Sequence, residues 1–228
     1  MEFKIYDKLL TLTLFQGLSR NDLTEIANKI RLEFRKIAAG NTLAKQQTRF
    51  EKLFFLLNGE IYAETGNNSH TYTIIESLSG NLMFEADAIF GLHPYHNRTY
   101  RAKTDVQVLC IDKQAIVNHL LHYEIVRFNL LNFVSTQAQK RIHLLRADRP
   151  DTLVARFVEF INRRIAYPAG EKKIKIRMED LGTELGETRL TISLLLRSLQ
   201  NKGLLRHERM GIIIPAYERL LLASKSAQ

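Results

Sequence analysis

The chain has one cysteine, Cys110. It therefore closes no internal disulfide and cannot alone supply the several thiolates of the usual iron–sulfur cluster. It has no apolar run near the roughly 18 residues that a membrane span needs. The opening MEFKIYDKLLTLTLF is broken by Lys4, Asp7 and Lys8 and carries no small-residue cleavage site, so it does not read as a secretion signal. No phosphate-cradling glycine loop, zinc-protease histidine pair with its glutamate or nucleophile elbow is present. The carboxylates are scattered among basic residues as on a solvated surface. These absences point to a cytoplasmic, non-enzymatic protein without a membrane partner.

What is present is length and positive charge. The 228 residues favour two domains, each long enough to bury a core. Hydrophobic content of 45% and charged content of 25% are ordinary globular values. A formal net charge of +9 and a pI near 9.7 favour an acidic partner, nucleic acid or an anionic surface. Residues 151–228 hold 14 Lys/Arg and 9 Asp/Glu, a charge of +5, which leaves +4 for residues 1–150. The excess per residue is about twice as large in the C-terminal third.

The patterning divides the chain. A short helix is expected after Ser19. The runs LEFRKI, KLFFLLNGEIYAE, HTYTIIESL and VQVLCID then read as short strands separated by AAGN, TGNNS and LSGN. Such spacing argues for an antiparallel sandwich or barrel over residues 1–111. From Asp112 to Arg146 no glycine or proline interrupts a long helix, assigned to residues 112–147. Along it Phe128, Leu131, Ser135, Ala138, Ile142 and Leu145 step by 3 and 4. That is a heptad seam suited to pairing with a second copy; the alternative is packing on the chain's own sandwich. Pro150 ends the helix. Within residues 148–228 follow a helix over TLVARFVEFINRRIAY, a brief strand near Ile174–Arg177, a helix MEDLGTEL, a turn GET, a helix RLTISLLLRSLQNK closed by Gly203, and a hairpin with Met210 and Gly211 near its turn.

A helix, a glycine-bearing turn, a second amphipathic helix and a hairpin form the pattern of a winged helix-turn-helix, whose second helix lies in the DNA major groove. In that helix Ile192, Leu195, Leu196 and Leu199 follow the rhythm of one buried face, while Leu190, Leu194 and Arg197 fall opposite. Together with LLNGEIYAE and the long helix, MEDLGTELGETRLTISLLLRSLQNKGLL resembles the cyclic AMP receptor protein and fumarate–nitrate regulator (Crp/Fnr) superfamily over essentially the whole chain. Gly186, Arg189, Ile192 and Leu196 match its spacing. The resemblance implies an α+β chain: a jelly-roll sandwich like a cyclic-nucleotide-binding domain, a dimerisation helix and a winged DNA-binding domain. It also implies a homodimer, a two-fold DNA site, RNA polymerase as a partner and a small-molecule effector of unknown identity.

The departures from that family matter. The cyclic AMP receptor has a glutamate and an arginine where this chain has Leu190 and Leu194. Such leucines can pack on thymine methyls but cannot hydrogen-bond a base; the alternative is that they cover a protein surface. The DNA-contacting set expected here is Thr188, Arg189, Leu190, Ser193, Leu194 and Arg197, with Arg206 and Arg209 of the hairpin. For the effector, the resemblance places Glu85 at the ribose-binding glutamate. His96 stands at the phosphate-binding arginine, with Arg98 two residues on, and Ala138 and Gln139 at the base-binding pair of the long helix. Loss of a fixed bidentate arginine disfavours cyclic AMP. His93 with His96, or His119 with His122, offers a ligand pair for haem iron or another transition metal. The rival reading is a cyclic-nucleotide-binding signalling module without DNA binding.

Overall fold

Period-two and period-3.6 patterns produce the elements in this order. The computed structural model describes residues 2–67, 69, 71–146, 150–209 and 211–225. The chain begins with α1 (Glu2–Leu10), a 3-10 turn (Thr13–Phe15) and α2 (Arg20–Lys29), then enters β1 (Glu33–Ile37), β2 (Thr42–Ala44), β3 (Lys52–Asn58), β4 (Glu60–Gly66), β5 (Tyr72–Ser79), β6 (Leu82–Met83), β7 (Thr99–Ala102) and β8 (Val106–Asp112). It continues through α3 (Lys113–Asn118), a 3-10 turn (Leu120–His122), α4 (Glu124–Arg146), α5 (Leu153–Asn162), β9 (Lys172–Ile176), α6 (Met178–Leu185), α7 (Arg189–Asn201), β10 (Arg206–Glu208), β11 (Gly211–Ile214) and α8 (Tyr217–Lys225). The expected strand runs and both helices of the helix-turn-helix are present. The short strands β2, β6 and β7 are additional, too short for an alternation to reveal.

The chain forms two compact units, and they are not simple sequence halves. One holds residues 1–61 and 78–142; the other holds residues 62–77 and 143–228. The β4–β5 hairpin, expected to belong with the N-terminal strands, thus folds largely with the C-terminal helices.

In the first unit an antiparallel sheet runs β1-β8-β3-β6, and β2 pairs with β7. The core gathers Phe15, Phe50, Phe55, Leu109 and Ile111 around Leu23 and Ile26 of α2, all at most 1% exposed. Ser19 and Asp22 form a reciprocal capping box that starts α2, satisfying amide groups left free at a helix N-terminus.

The single helix expected from Asp112 is corrected here: it is broken between Asn118 and Glu124. His119 leaves helical geometry at φ −131°, ψ −53°, and Tyr123 is extended. Packing overrides propensity, because Leu120 is completely buried. The Leu121 carbonyl accepts from the Arg127 guanidinium at 3.0 Å. The uninterrupted helix that carries the heptad positions therefore starts at Glu124.

In the second unit the strands run β10-β11-β9-β5-β4. Tyr72 pairs with Ile176, Ile74 with Ile174 and Glu76 with Lys172. Alternation sends Tyr72, Ile74 and Ile174 into a core with Phe157 and Ile161 of α5 and Ile192, Leu196 and Leu199 of α7. The last inward pair is ionic. Lys172 Nζ stands 3.4 Å from Glu76 Oε2, and both side chains are fully buried. Lys172 also donates to the Ala169 carbonyl at 2.7 Å, while the Glu76 carboxylate accepts the amides of Ala166 and Tyr167 at 2.8 and 3.2 Å. Those bonds take amides that a longer helix would use, so α5 stops at Asn162 rather than continuing to Tyr167 as its pattern suggests.

Removing one partner of such a pair strands a charge away from water. Lys172→Met is expected to cost about 3–5 kcal/mol, and Lys172→Met combined with Glu76→Gln is expected to cost less than the single change. Urea unfolding of the three proteins checks both.

Candidate nucleic-acid interface

The turn between α6 and α7 is set by two glycines. Gly186 takes the left-handed conformation at φ 67°, which a side chain would strain. At Gly182 a Cβ would stand 2.7 Å from the Glu187 carbonyl oxygen, so the two segments approach this closely only with glycine there. From α5, Arg156 braces the corner, donating to the Leu185 carbonyl and to Glu187 Oε1, each at 2.6 Å. Thr188 then caps α7, its hydroxyl accepting the Thr191 amide at 3.2 Å. Gly203, at φ 67°, closes the helix with Leu204 N to Leu199 O at 3.0 Å and Gly203 N to Gln200 O at 2.9 Å, the paired bonds of a Schellman end.

Ile192, Leu195, Leu196 and Leu199 face the core and are at most 8% exposed. The opposite face carries Leu190 and Leu194, which are 71% and 57% exposed. Arg189 and Arg197 are exposed beside them, and Ser193 is half-buried. Arg189 Nε lies 3.5 Å from Glu179 Oε1. Arg206 and Arg209 are exposed on the hairpin, which is tied to α7 where the His207 amide donates to Gln200 Oε1 at 2.8 Å. Among the described residues Arg197, Arg206 and Arg209 have no carboxylate partner. Met210, placed at the hairpin turn by the sequence, lies outside the described residues.

Sequence reasoning missed a cleft of about 470 Å³ next to this surface, where Arg189 and Arg209 share a rim with Lys175 and Arg177 and with Ser69 and Thr71 of the β4–β5 hairpin. The alternation in KKIKIR was the available sign of a strand with one basic face. Nothing local shows that a hairpin about a hundred residues earlier comes beside it.

In the first unit Glu85 and His96 come together. His96 Nδ1 lies 2.9 Å from Glu85 Oε2, and Glu85 Oε1 accepts the Asn97 amide at 3.0 Å. The side chains are 5% and 8% exposed, and the imidazole packs on Phe50 with ring centres 4.4 Å apart. Glu85 holds φ 42°, uncommon for a residue with a side chain. Arg98 is half-buried. Ala138 and Gln139 are exposed on α4 and, among the described residues, share no hydrogen bond with the Glu85–His96 pair. His93 is exposed, while His119 and His122 border a separate cleft with Glu25, Lys29 and Tyr123. No group of three His, Cys, Asp or Glu among the described residues is placed to hold a metal ion. Burial pushes the Cys110 thiol up to about 11.

The α4 helix uses its two faces differently. Val126 and Leu130 are buried in the first unit, and Asn129 Nδ2 donates to the carbonyls of Leu14 and Gln16 at 3.1 and 2.8 Å. Away from these anchors Phe128, Leu131, Ile142 and Leu145 are 45–79% exposed, and Ser135 and Ala138 are exposed with them.

Residues 34–123 match the family model of the cyclic nucleotide-binding domain, and residues 153–222 match that of the Crp-like helix-turn-helix domain. The chain belongs to the Crp/Fnr superfamily. It is a DNA-binding transcription regulator of that type, with a cyclic-nucleotide-binding-like sensor domain. Crp-like regulators bind DNA and act as dimers. Among solved structures the fold is similar to the Catabolite Activator Protein of Thermus thermophilus, at 16% identity, covering 95% of this chain and 100% of that one with a TM-score of 0.52. It is also similar to the sensor domain of the transcriptional regulator DNR from Pseudomonas aeruginosa, at 19% identity, covering 60% and 94% with a TM-score of 0.50. No curated protein sequence matches it significantly. The Crp-like match spans the turn and both glycines described above, and the sensor match spans the β4–β5 hairpin. Among the described residues no helix is long and apolar enough to cross a membrane.

Proposed function

We propose that this regulator works in the cytoplasm as a homodimer that reads double-stranded DNA with α7 and contacts RNA polymerase. The reading assigns effector binding to residues 1–111, dimerisation to residues 112–147 and DNA binding to residues 148–228. Thr188, Arg189, Leu190, Ser193, Leu194 and Arg197 line the helix face that enters the major groove, and Arg206 and Arg209 reach the backbone from the wing. The observation carrying this reading is the exposure of Leu190 and Leu194, 71% and 57%, between exposed arginines on the outer face of α7. Two apolar side chains in that setting suit thymine methyls, while Arg189 at the first turn suits guanine O6 and N7. Expected half-sites have one guanine beside an A·T-rich run.

The exposed apolar seam of α4, from Phe128 and Leu131 through Ser135 and Ala138 to Ile142 and Leu145, supports self-pairing of that helix. A heptad spacing suits a copy of itself. An effector in the sensor would bias the helix pair and so reset the separation of the two recognition helices. The chemistry of the sensor argues against one effector. The Glu85 carboxylate is already bonded to His96 and to the Asn97 amide, so a ribose would have to displace both, and His96 cannot hold a cyclic phosphate as a bidentate arginine does. Cyclic AMP is therefore not the effector in this reading.

Arg189→Ala is expected to weaken binding by about 1–3 kcal/mol and relax choice at one base pair. Leu190→Ala should relax a thymine instead, and replacing that thymine with uracil should reproduce the loss because only the methyl is removed. Equilibrium binding to substituted half-sites measures all three; equal binding of uracil and thymine at every position contradicts the leucine assignment.

Ala138→Glu places like charges against each other on the paired seam. Loss of the dimer in sedimentation, together with loss of protection over a full two-fold site, is expected. A monomer that still protects the whole site contradicts the seam.

A further inference from the structure

The β4–β5 hairpin lies within the segment matched by the sensor model, residues 34–123, yet residues 62–77 fold with the C-terminal unit. Its attachment is firm. Tyr72 through Glu76 pair in register with Ile176 through Lys172, and the fully buried Glu76–Lys172 bridge closes the inner face. The Tyr72 ring meets Phe160 edge-on at 5.6 Å, and the Arg164 guanidinium lies over it at 4.8 Å. Alternation then fixes the other face. Thr73 is opposite Lys175, and the odd-numbered Lys173, Lys175 and Arg177 point away from the core.

At the hairpin tip, Asn67 Nδ2 donates to Ser69 Oγ at 3.0 Å and to Thr71 Oγ1 at 2.6 Å, while the Thr71 amide donates to Asn67 Oδ1 at 2.9 Å. Each hydroxyl accepts from Asn67, which leaves its own proton to donate elsewhere. Ser69 and Thr71 line the cleft that Lys175, Arg177, Arg189 and Arg209 also line. Three carboxylates share the rim. Asp180 is held by Arg177 at 2.7 Å, Glu179 by Arg189 at 3.5 Å, and Glu208 belongs to the wing. Lys175 and Arg209 have no carboxylate partner among the described residues. The cleft therefore has a net positive charge and hydroxyl donors, bounded on one side by the first residue of α7 and on another by the wing.

We propose that this cleft holds a phosphate of the DNA backbone beside the recognition helix, with Lys175 as its main cation and Ser69 and Thr71 as donors. A hairpin of the sensor sequence is then itself part of the DNA interface. The proposal rests on α7 being the recognition helix. A backbone phosphate fits better than a base because the cleft offers charge and rotatable donors, which read no sequence. It fits better than a free anion because α7 and the wing, which flank the cleft, are the two elements that face DNA.

The test uses the full chain and a site recovered from a random DNA pool. Lys175→Ala is expected to reduce the magnitude of the log–log salt slope by about 1, with the order of base preference unchanged, and Lys175→Arg is expected to restore it. Ser69→Glu, at an exposed tip, should weaken binding about tenfold at low salt by setting a carboxylate against the backbone. Thermal melting checks that each variant is folded.

Unaltered slope and affinity in folded variants overturn the proposal while leaving α7 as the reader, since wild type still binds its site. A change in base preference on Lys175→Ala also overturns it, because the cleft would then contact a base. A wild type that binds no DNA overturns the reading underneath. Inorganic phosphate, exchanged for chloride at fixed ionic strength, separates the two sources of the anion. Titrated onto the DNA-free protein, it is expected to show no saturable binding; saturable binding that Lys175→Ala abolishes assigns the cleft to a free phosphate instead.

Discussion

Burying one face of α7 determines what the other can show. Ile192, Leu195, Leu196 and Leu199 occupy the inward stripe of a helix with a fixed 3.6-residue turn, so Arg189, Leu190, Leu194 and Arg197 must stand outside. The orientation is held at both ends. Thr188 and the Gly182–Glu187 approach fix the entry, and Gly203 with Leu204 fixes the exit. A helix free to roll would average its surface; this one presents a single arrangement of two leucines among cations. Its exposed chemistry is thus a consequence of the same hydrophobic packing that makes the domain fold.

That helix and its partners were legible because their signals are local. A glycine between two amphipathic stretches, a capping threonine and a glycine at the helix end all lie within about thirty residues, and α6 matches the expected span residue for residue. The break between α3 and α4 was not legible. No glycine or proline marks it, and it follows from placing Leu120 in the core, a tertiary demand. The pairing of β5 with β9 was hidden for a related reason. The alternation in HTYTIIESL identifies a strand and its two faces but says nothing of which strand lies beside it, and Glu76 and Lys172 look like ordinary surface charges until they meet. Long-range pairing also drew the units differently from the sequence segments, with residues 62–77 leaving their neighbours in the chain.

The resemblance put Glu85 at the ribose and His96 at the phosphate of one ligand site, and the structure joins them to each other, with Phe50 against the imidazole. A carboxylate bonded on both oxygens and a buried imidazole leave little for an added nucleotide to engage. The α4 seam is clearer. Val126, Asn129 and Leu130 anchor the inward face, while Phe128, Leu131 and Ile142 of the same unit stay exposed.

Two copies of α7, held by a two-fold seam, are proposed to read DNA by sequence. The most direct measurement is unbiased selection of bound sequences from a random double-stranded pool. The expected result is an inverted repeat whose half-sites are centred one helical turn apart, about 34 Å, each with one guanine next to an A·T-rich run. Recovery of no repeated motif, or of a single half-site without its mirror image, would contradict it.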